Sequence, residues 1–280
     1  IRGPYLQTGT PSSVTVRWRT DLSTDTRVAF GNTLTNLLDS VSDTNLTVDH
    51  EVTVTGLVAE TKYYYAIGST VTNLAGNDAN HFFRTAPVSQ ETKRTRIWVI
   101  GDSGTANSNA ATVRDAYDIY TGTNLTDAWV MLGDNAYPSG SDAHYQAAVF
   151  EMYPSLLRNT TLWATLGNHD GSSAQSATQS GPYYDIFSFP RDGQAGGLAS
   201  GTEAYYSFDH ANIHFICLDS YDTDRSTNGT MMTWLRNDLA ATMQDWIIAY
   251  WHHPPYSRGS HNSDFETELV EMRTNALPIL

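Results

Sequence analysis

Residues 128–137 read Ala128-Trp129-Val130-Met131-Leu132-Gly133-Asp134-Asn135-Ala136-Tyr137, and the fold follows from how that stretch is parsed. Its apolar run is short and ends at a glycine, which predicts a buried strand rather than a helix. The strand delivers Asp134 into a turn, with Tyr137 three residues on. Three further segments share the design. Ile97-Trp98-Val99-Ile100 runs into Gly101-Asp102-Ser103-Gly104, and Leu162-Trp163-Ala164-Thr165-Leu166 into Gly167-Asn168-His169-Asp170. Trp246-Ile247-Ile248-Ala249-Tyr250-Trp251 runs into His252-His253-Pro254-Pro255. Four buried strands, each delivering Asp, Asn or His at its carboxyl end, converge on one crevice of an α/β sheet. Carboxylates, a phenol and imidazoles gathered there read as a metal site. The set suits iron, manganese or zinc, not the all-oxygen cage of calcium. A single Gly-Asp at a strand end is more often a turn or a helix cap. Four such endings in one chain invert those odds.

Between these strands the pattern turns helical. Residues 109–120 place Ala110, Val113, Ala116, Tyr117 and Tyr120 at helical spacing, and residues 142–157 place Tyr145, Val149, Met152 and Leu156 on one side. Residues 231–241 predict another helix, and 205–209 with 212–219 a hairpin around His210-Ala211. The alternation of strand and helix implies right-handed parallel crossovers. Residues 171–200 shift to Ser, Gln and Gly and are expected to form a long surface excursion framing the pocket. Ahead of all this, residues 1–87 read as short alternating strands at 14–19, 26–30, 49–54, 63–67 and 81–85, the spacing of a β-sandwich. Nothing there looks catalytic, and His50 and His81 are expected as ordinary strand residues. The organisation expected is an all-β sandwich over 1–87, a polar linker over 88–95 and an α/β domain over 96–280.

The 280 residues carry 30 acidic and 16 basic side chains, a formal charge of −14, with Lys62 and Lys93 the only lysines. Such a surface repels nucleic acid and anionic membranes, so neither is expected as a partner. An anionic substrate would need local positive charge, which bound metal ions supply. No apolar run approaches the ~20 residues of a membrane span. Cys217 is the single cysteine and is expected as a buried, inert thiol. The sequence begins at Ile1, and a processed or trimmed start is expected.

Taken in order, Gly101-Asp102-Ser103-Gly104, Gly133-Asp134-Asn135-Ala136-Tyr137, Gly167-Asn168-His169-Asp170 and Ala249-Tyr250-Trp251-His252 resemble four of the five signature blocks of the purple acid phosphatases. These are calcineurin-like metallophosphoesterases that often carry a fibronectin type III-like domain in front. Residues 55–65, running from Thr55-Gly56-Leu57 to Tyr63-Tyr64-Tyr65, are similar to the corner of such a domain, where a Leu precedes a turn and a buried Tyr. The resemblance implies an αββα-type catalytic domain and hydrolysis of phosphate monoesters by metal-activated water or hydroxide. Two metal ions are implied, Fe(III) plus a divalent Fe, Zn or Mn. By the same resemblance Asp102 and Tyr137 would ligate the ferric ion, Asp134 would bridge, and Asn168 and His252 would hold the divalent ion. His169 would lie over the substrate, orienting phosphate or protonating the leaving alcohol, and His261, in Gly259-Ser260-His261-Asn262, would match a second outer-sphere histidine. Asp170 is expected to sit in the turn, the alternative being that it fixes the His169 ring. The partner implied is a small phosphorylated substrate, and the location secreted or periplasmic. Two other readings stand beside this one: a phosphodiesterase or nucleotidase on the same metal core, and a binding module that has lost catalysis. The fifth block, Gly-His-x-His, does not occur in the sequence. Each metal would then take one histidine fewer from it, and a longer parent chain is expected.

Overall fold

The computed structural model describes residues 2–34 and 36–280. Alternation of apolar and polar side chains decides the first part. β1 (Arg2–Gln7), β2 (Ser13–Gly31), β3 (Asp39–Thr55), β4 (Lys62–Gly68), β5 (Asn73–Gly76) and β6 (Phe82–Arg84) form one antiparallel six-stranded sheet. The strands expected at 14–19 and 26–30 are one continuous β2, with irregular register between Arg19 and Thr26 absorbing the change of direction. β1 pairs only with its first half and β4 only with its second. Val14, Val16 and Trp18 from one half share a core with Val28 and Phe30 from the other, so the sheet folds over itself. At the corner, Tyr63 Oη accepts the Val58 N–H at 3.0 Å, while Leu57 and Tyr65 enter that core. His50 is buried against Trp18, with ring centroids 4.6 Å apart.

From residue 96 onward strands and helices alternate: β7 (Ile97–Ile100), α1 (Ser108–Thr121), β8 (Ala128–Met131), α2 (Asp142–Tyr145), α3 (Pro154–Leu157), β9 (Leu162–Ala164), α4 (Asn168–Gly171) and α5 (Pro182–Ile186). Then come β10 (Tyr206–His210), β11 (Ile213–Cys217), α6 (Thr230–Ala241), β12 (Trp246–Tyr250) and α7 (Thr267–Glu271). β7, β8 and β9 make a parallel sheet, and β10, β11 and β12 a mixed one, an antiparallel hairpin followed by a parallel crossover through α6. The Asn107 side chain caps α1 by accepting the N–H groups of Asn109 and Ala110. Aromatic rings join the two sheets. Trp163 of β9 stacks on Phe208 of β10 at 3.7 Å, and Phe208 on Phe215 at 4.6 Å.

Three expectations need correction. The single helix over 142–157 is interrupted: α2 widens into a π-turn over Gln146–Phe150 and ends before Pro154. Proline has no N–H to give, and it drives Tyr153 out of the helical region, to φ −123° and ψ 41°. Secondly, the four strands are not equally buried: β8 and β9 are buried throughout, whereas Val99 of β7 is 52% and Trp246 of β12 66% exposed. Thirdly, residues 171–200 are not a surface excursion throughout, because their middle is buried. Tyr183, Ile186, Phe187 and Phe189 are buried, and Tyr183 Oη donates to the Ala164 carbonyl at 2.9 Å. The average composition of that stretch hides a compact apolar knot at 182–189.

The two parts are tied through β1, whose alternate side chains enter different cores. Tyr5 belongs to the larger core and Leu6 to the smaller. Tyr5 Oη donates to the Ile186 carbonyl at 2.7 Å, and Arg2 pairs with Asp142 at 3.0 Å. Among the described residues no helix is long and apolar enough to cross a membrane. Cys217 is buried, and burial pushes its thiol up to about 12.

Candidate metal centre

The four strand-end segments meet at one cleft of about 340 Å³, lined by Asp102, Asp134, Tyr137, Asn168, His169, His252 and His261 together with neighbouring loop residues. Asp102 lies two residues past β7, Asp134 three past β8 and His252 two past β12, while Asn168 and His169 open α4 after β9. Asp102 and Asp134 both adopt the left-handed backbone region, at φ 51° and 50°. Residues with side chains are rarely held there, and they persist where the surroundings over-determine the backbone. Two glycines let the loops close up. A Cβ on Gly133, itself at φ 88°, would fall 2.7 Å from the His252 ring, and one on Gly167 would fall 2.1 Å from the Asp134 nitrogen.

A carboxylate oxygen of Asp102, one of Asp134 and a ring nitrogen of His252 lie within 4.8 Å of one another. His252 Nδ1 faces the Leu132 carbonyl at 2.9 Å, so Nδ1 is the donor and Nε2 keeps the lone pair in the neutral ring. That Nε2 stands 3.0 Å from Asn168 Oδ1 and 3.6 Å from Asp134 Oδ1. Tyr137 Oη donates to Asp102 Oδ1 at 3.0 Å. Burial, then the nearby charges of Asp134 and Asp102, push its phenol pKa upward. The His169 N–H donates to Asp134 Oδ1 at 2.9 Å. Its ring Nδ1 donates to the Pro138 carbonyl at 2.6 Å, which fixes the imidazole with Nε2 3.8 Å from Asp134 Oδ2. The same ring packs edge-on against Tyr137 at 4.5 Å. His261 also lines the cleft, from a more exposed loop, where its Nδ1 stands 2.7 Å from Glu266 Oε2.

No lysine or arginine is among the described residues that line this cleft. Two carboxylates, a phenol, an amide oxygen and an imidazole thus converge without a protein cation to offset them. That donor set fits a pair of borderline metal ions. All five expected ligands, and both expected outer histidines, reach the one cleft.

For three residues at or beside the cleft, the sequence named the residue but not its partners. Asp170 is fully buried, and its carboxylate accepts bonds from Tyr145 Oη at 2.6 Å and the Gly167 N–H at 3.0 Å. Burial pushes it up to about 6 against those donors. Tyr145 reads in sequence as one more apolar helix position, and no local signal marks it. His253 is also buried, its Nδ1 2.9 Å from Ser220 Oγ, and burial pushes it down to about 4.

Comparison with known proteins agrees with this geometry. The calcineurin-like phosphoesterase family model matches residues 95–277. Purple acid phosphatase 23 of Arabidopsis thaliana is 27% identical over 246 residues, which is 80% of this chain and 52% of the relative. Tartrate-resistant acid phosphatase type 5 of Mus musculus is 28% identical over 161 residues, 48% of this chain and 46% of the relative. The chain spans about half the length of these relatives. Among solved structures, that of PhoD superposes with a TM-score of 0.68 over 98% of this chain and 67% of the other, at 13% identity, a likeness of fold.

Proposed function

This chain belongs to the calcineurin-like phosphoesterase family, and on that premise we propose that it hydrolyses phosphate monoesters with a dinuclear metal centre of the purple acid type. The observation that carries the reading is the convergence of Asp102, Asp134 and His252 donor atoms within 4.8 Å, beside an imidazole that is not one of them. We assign Asp102 and Tyr137 to a ferric ion, Asn168 and His252 to a divalent one, and Asp134 to both. When bound, such ions offset the charge of a phosphate and lower the pKa of water.

The chain's own residues supply the rest. Asp134 is nearly buried, and its carboxylate lies within 4.8 Å of donor atoms from both Asp102 and His252, which supports a ligand shared between the two sides. Leu132 and Pro138 each hold an imidazole by its Nδ1, so both Nε2 atoms are left for the site. His169 Nε2 is then placed to orient a phosphate oxygen or to give a proton to the leaving alcohol. His261, on its exposed loop, makes a second, adjustable contact to the substrate. We also assign the N-terminal sheet to the fibronectin type III-like class, on the support of the Tyr63–Val58 corner.

The test is turnover of an aryl phosphate against a bis-aryl phosphate after metal loading, with elemental analysis of the same preparation. Monoester preference and two metals per chain are expected, whereas diester preference would make it a phosphodiesterase. His169→Ala should lower kcat by ~10²–10⁴-fold while leaving metal content intact. Tyr137→Phe should lose any visible phenolate-to-iron band, and a retained band would remove the ferric assignment.

A further inference from the structure

We propose that Asp170 and Tyr145 form a positioning pair that sets the spacing between the loop bearing Asp134 and the loop bearing Asn168, and thereby the metal affinity of the cleft. The proposal rests on the functional reading above, because it concerns how the same ligands are held.

The Asp170 carboxylate is fully buried and has no basic side chain beside it, a costly placement unless donors surround it. The donors it collects come from three elements. Oδ1 accepts the Tyr145 hydroxyl at 2.6 Å, from α2. Oδ2 accepts the Asn135 N–H at 3.1 Å and the Asn135 side-chain amide at 2.9 Å, from the loop after β8. Oδ2 also accepts the Gly167 N–H at 3.0 Å, from the loop after β9.

Asn135 directly follows Asp134, and Gly167 directly precedes Asn168. One carboxylate therefore grips the peptide next to a candidate ligand on each loop. The Asn135 amide continues the tie by donating to the Thr165 carbonyl at 2.9 Å. Close backbone approach completes it, since a Cβ on Gly140 would fall 2.6 Å from Asp170 Cα. Asp170 touches neither the cleft nor any candidate ligand side chain. Its effect is on where the ligands stand.

A merely structural carboxylate would lower stability without singling out the metal site. Asp238 provides that control. It is buried to the same degree, accepts from Leu198 N–H, Ser207 Oγ and the His214 ring, and lies outside the cleft lining.

The experiment is titration of metal-free, full-length protein with Zn²⁺ or Mn²⁺ by calorimetry, alongside thermal melts. Asp170→Asn leaves one acceptor oxygen where the Tyr145 hydroxyl, the Gly167 N–H and both Asn135 N–H donors now share two, and should weaken metal affinity by ~10–100-fold, the range seen when outer partners of a metal site are removed. Tyr145→Phe, which deletes one hydroxyl, should weaken it by a smaller factor in the same direction. Asp238→Asn should lower the melting temperature with affinity unchanged. Wild-type affinity in both Asp170→Asn and Tyr145→Phe overturns the proposal, as does a loss that Asp238→Asn reproduces. If Asp170→Asn does not fold, Tyr145→Phe decides alone. Metal binding by the wild type with unaltered variants sinks only this inference, whereas a wild type that binds no metal sinks the functional reading with it.

Discussion

Two groups of imidazole and carboxylate occupy this protein, and they are built on opposite plans. In the first, His214 is fully buried between Asp209, 2.7 Å from Nδ1, and Asp238, 2.8 Å from Nε2. The remaining oxygens are taken as well: Asp238 by Leu198 and Ser207, Asp209 by Gln244 and Ser89. In the second, His252 and His169 stand 3.6 and 3.8 Å from the Asp134 oxygens, too far for hydrogen bonds, and all three face an open cleft. The first group is closed: every polar atom has a protein partner, and the protonated ring is held by two charges. The second is open, with donor atoms aimed at a shared space and no cation of the protein's own to fill it. Residue type does not separate a clamp from a metal site. Completion of the bonding does.

Substitutions in the two groups should therefore have opposite signatures. The largest effect is expected for Asp134→Asn, which should abolish metal binding and lower turnover beyond the ~10²-fold typical of losing an outer partner. Its metal-free melting temperature should stay level or rise, because one of two facing carboxylates is neutralised. A matching loss of stability would show that Asp134 is a structural residue. Next in size, Asp238→Asn should cost roughly 3 kcal/mol in urea denaturation, as expected for breaking a buried ion pair, with metal titration unaltered.

A third effect, of the same order as the second, is a pH dependence confined to the closed group. Its two carboxylates overcome the cost of burial and raise His214 from about 6.5 to about 9. The folded state therefore keeps this proton when the unfolded chain has lost it. The stabilisation is complete below about pH 6.5 and disappears as pH rises through about 9. Denaturation midpoints should fall across that window, and the fall should flatten in His214→Gln. An undiminished fall in that variant would place the titrating group elsewhere.

Much of the site was legible in sequence because a short strand ending at Gly writes its geometry locally. Asp102, Asp134, Asn168 and His252 follow their strands by two to four residues, the first three of them directly after a Gly, so strand placement brings them together. Other features depended on distant partners. The bend that joins the two halves of β2 came from irregular pairing with β3, which the apolar pattern of β2 does not record. The burial of residues 182–189 came from Ala164 and β1, neither of which is near in sequence. Val99 and Trp246 are exposed although their strands are as apolar as β9, which is also outermost in its sheet and yet buried, so what covers a strand is set by the tertiary packing and not by the strand.

By itself, then, the sequence determined most of the strands, the strand-end delivery of candidate ligands and the class of chemistry they can perform. These rest on periodicity and on glycine, which act over a few residues. Only the tertiary structure decided which buried acids are occupied with holding the fold. Asp170 meets Tyr145 from 25 residues away, and His214 meets Asp238 from 24. Whether a carboxylate is free to bind a metal depends on whether such remote donors already satisfy it, and chain neighbours carry no trace of that.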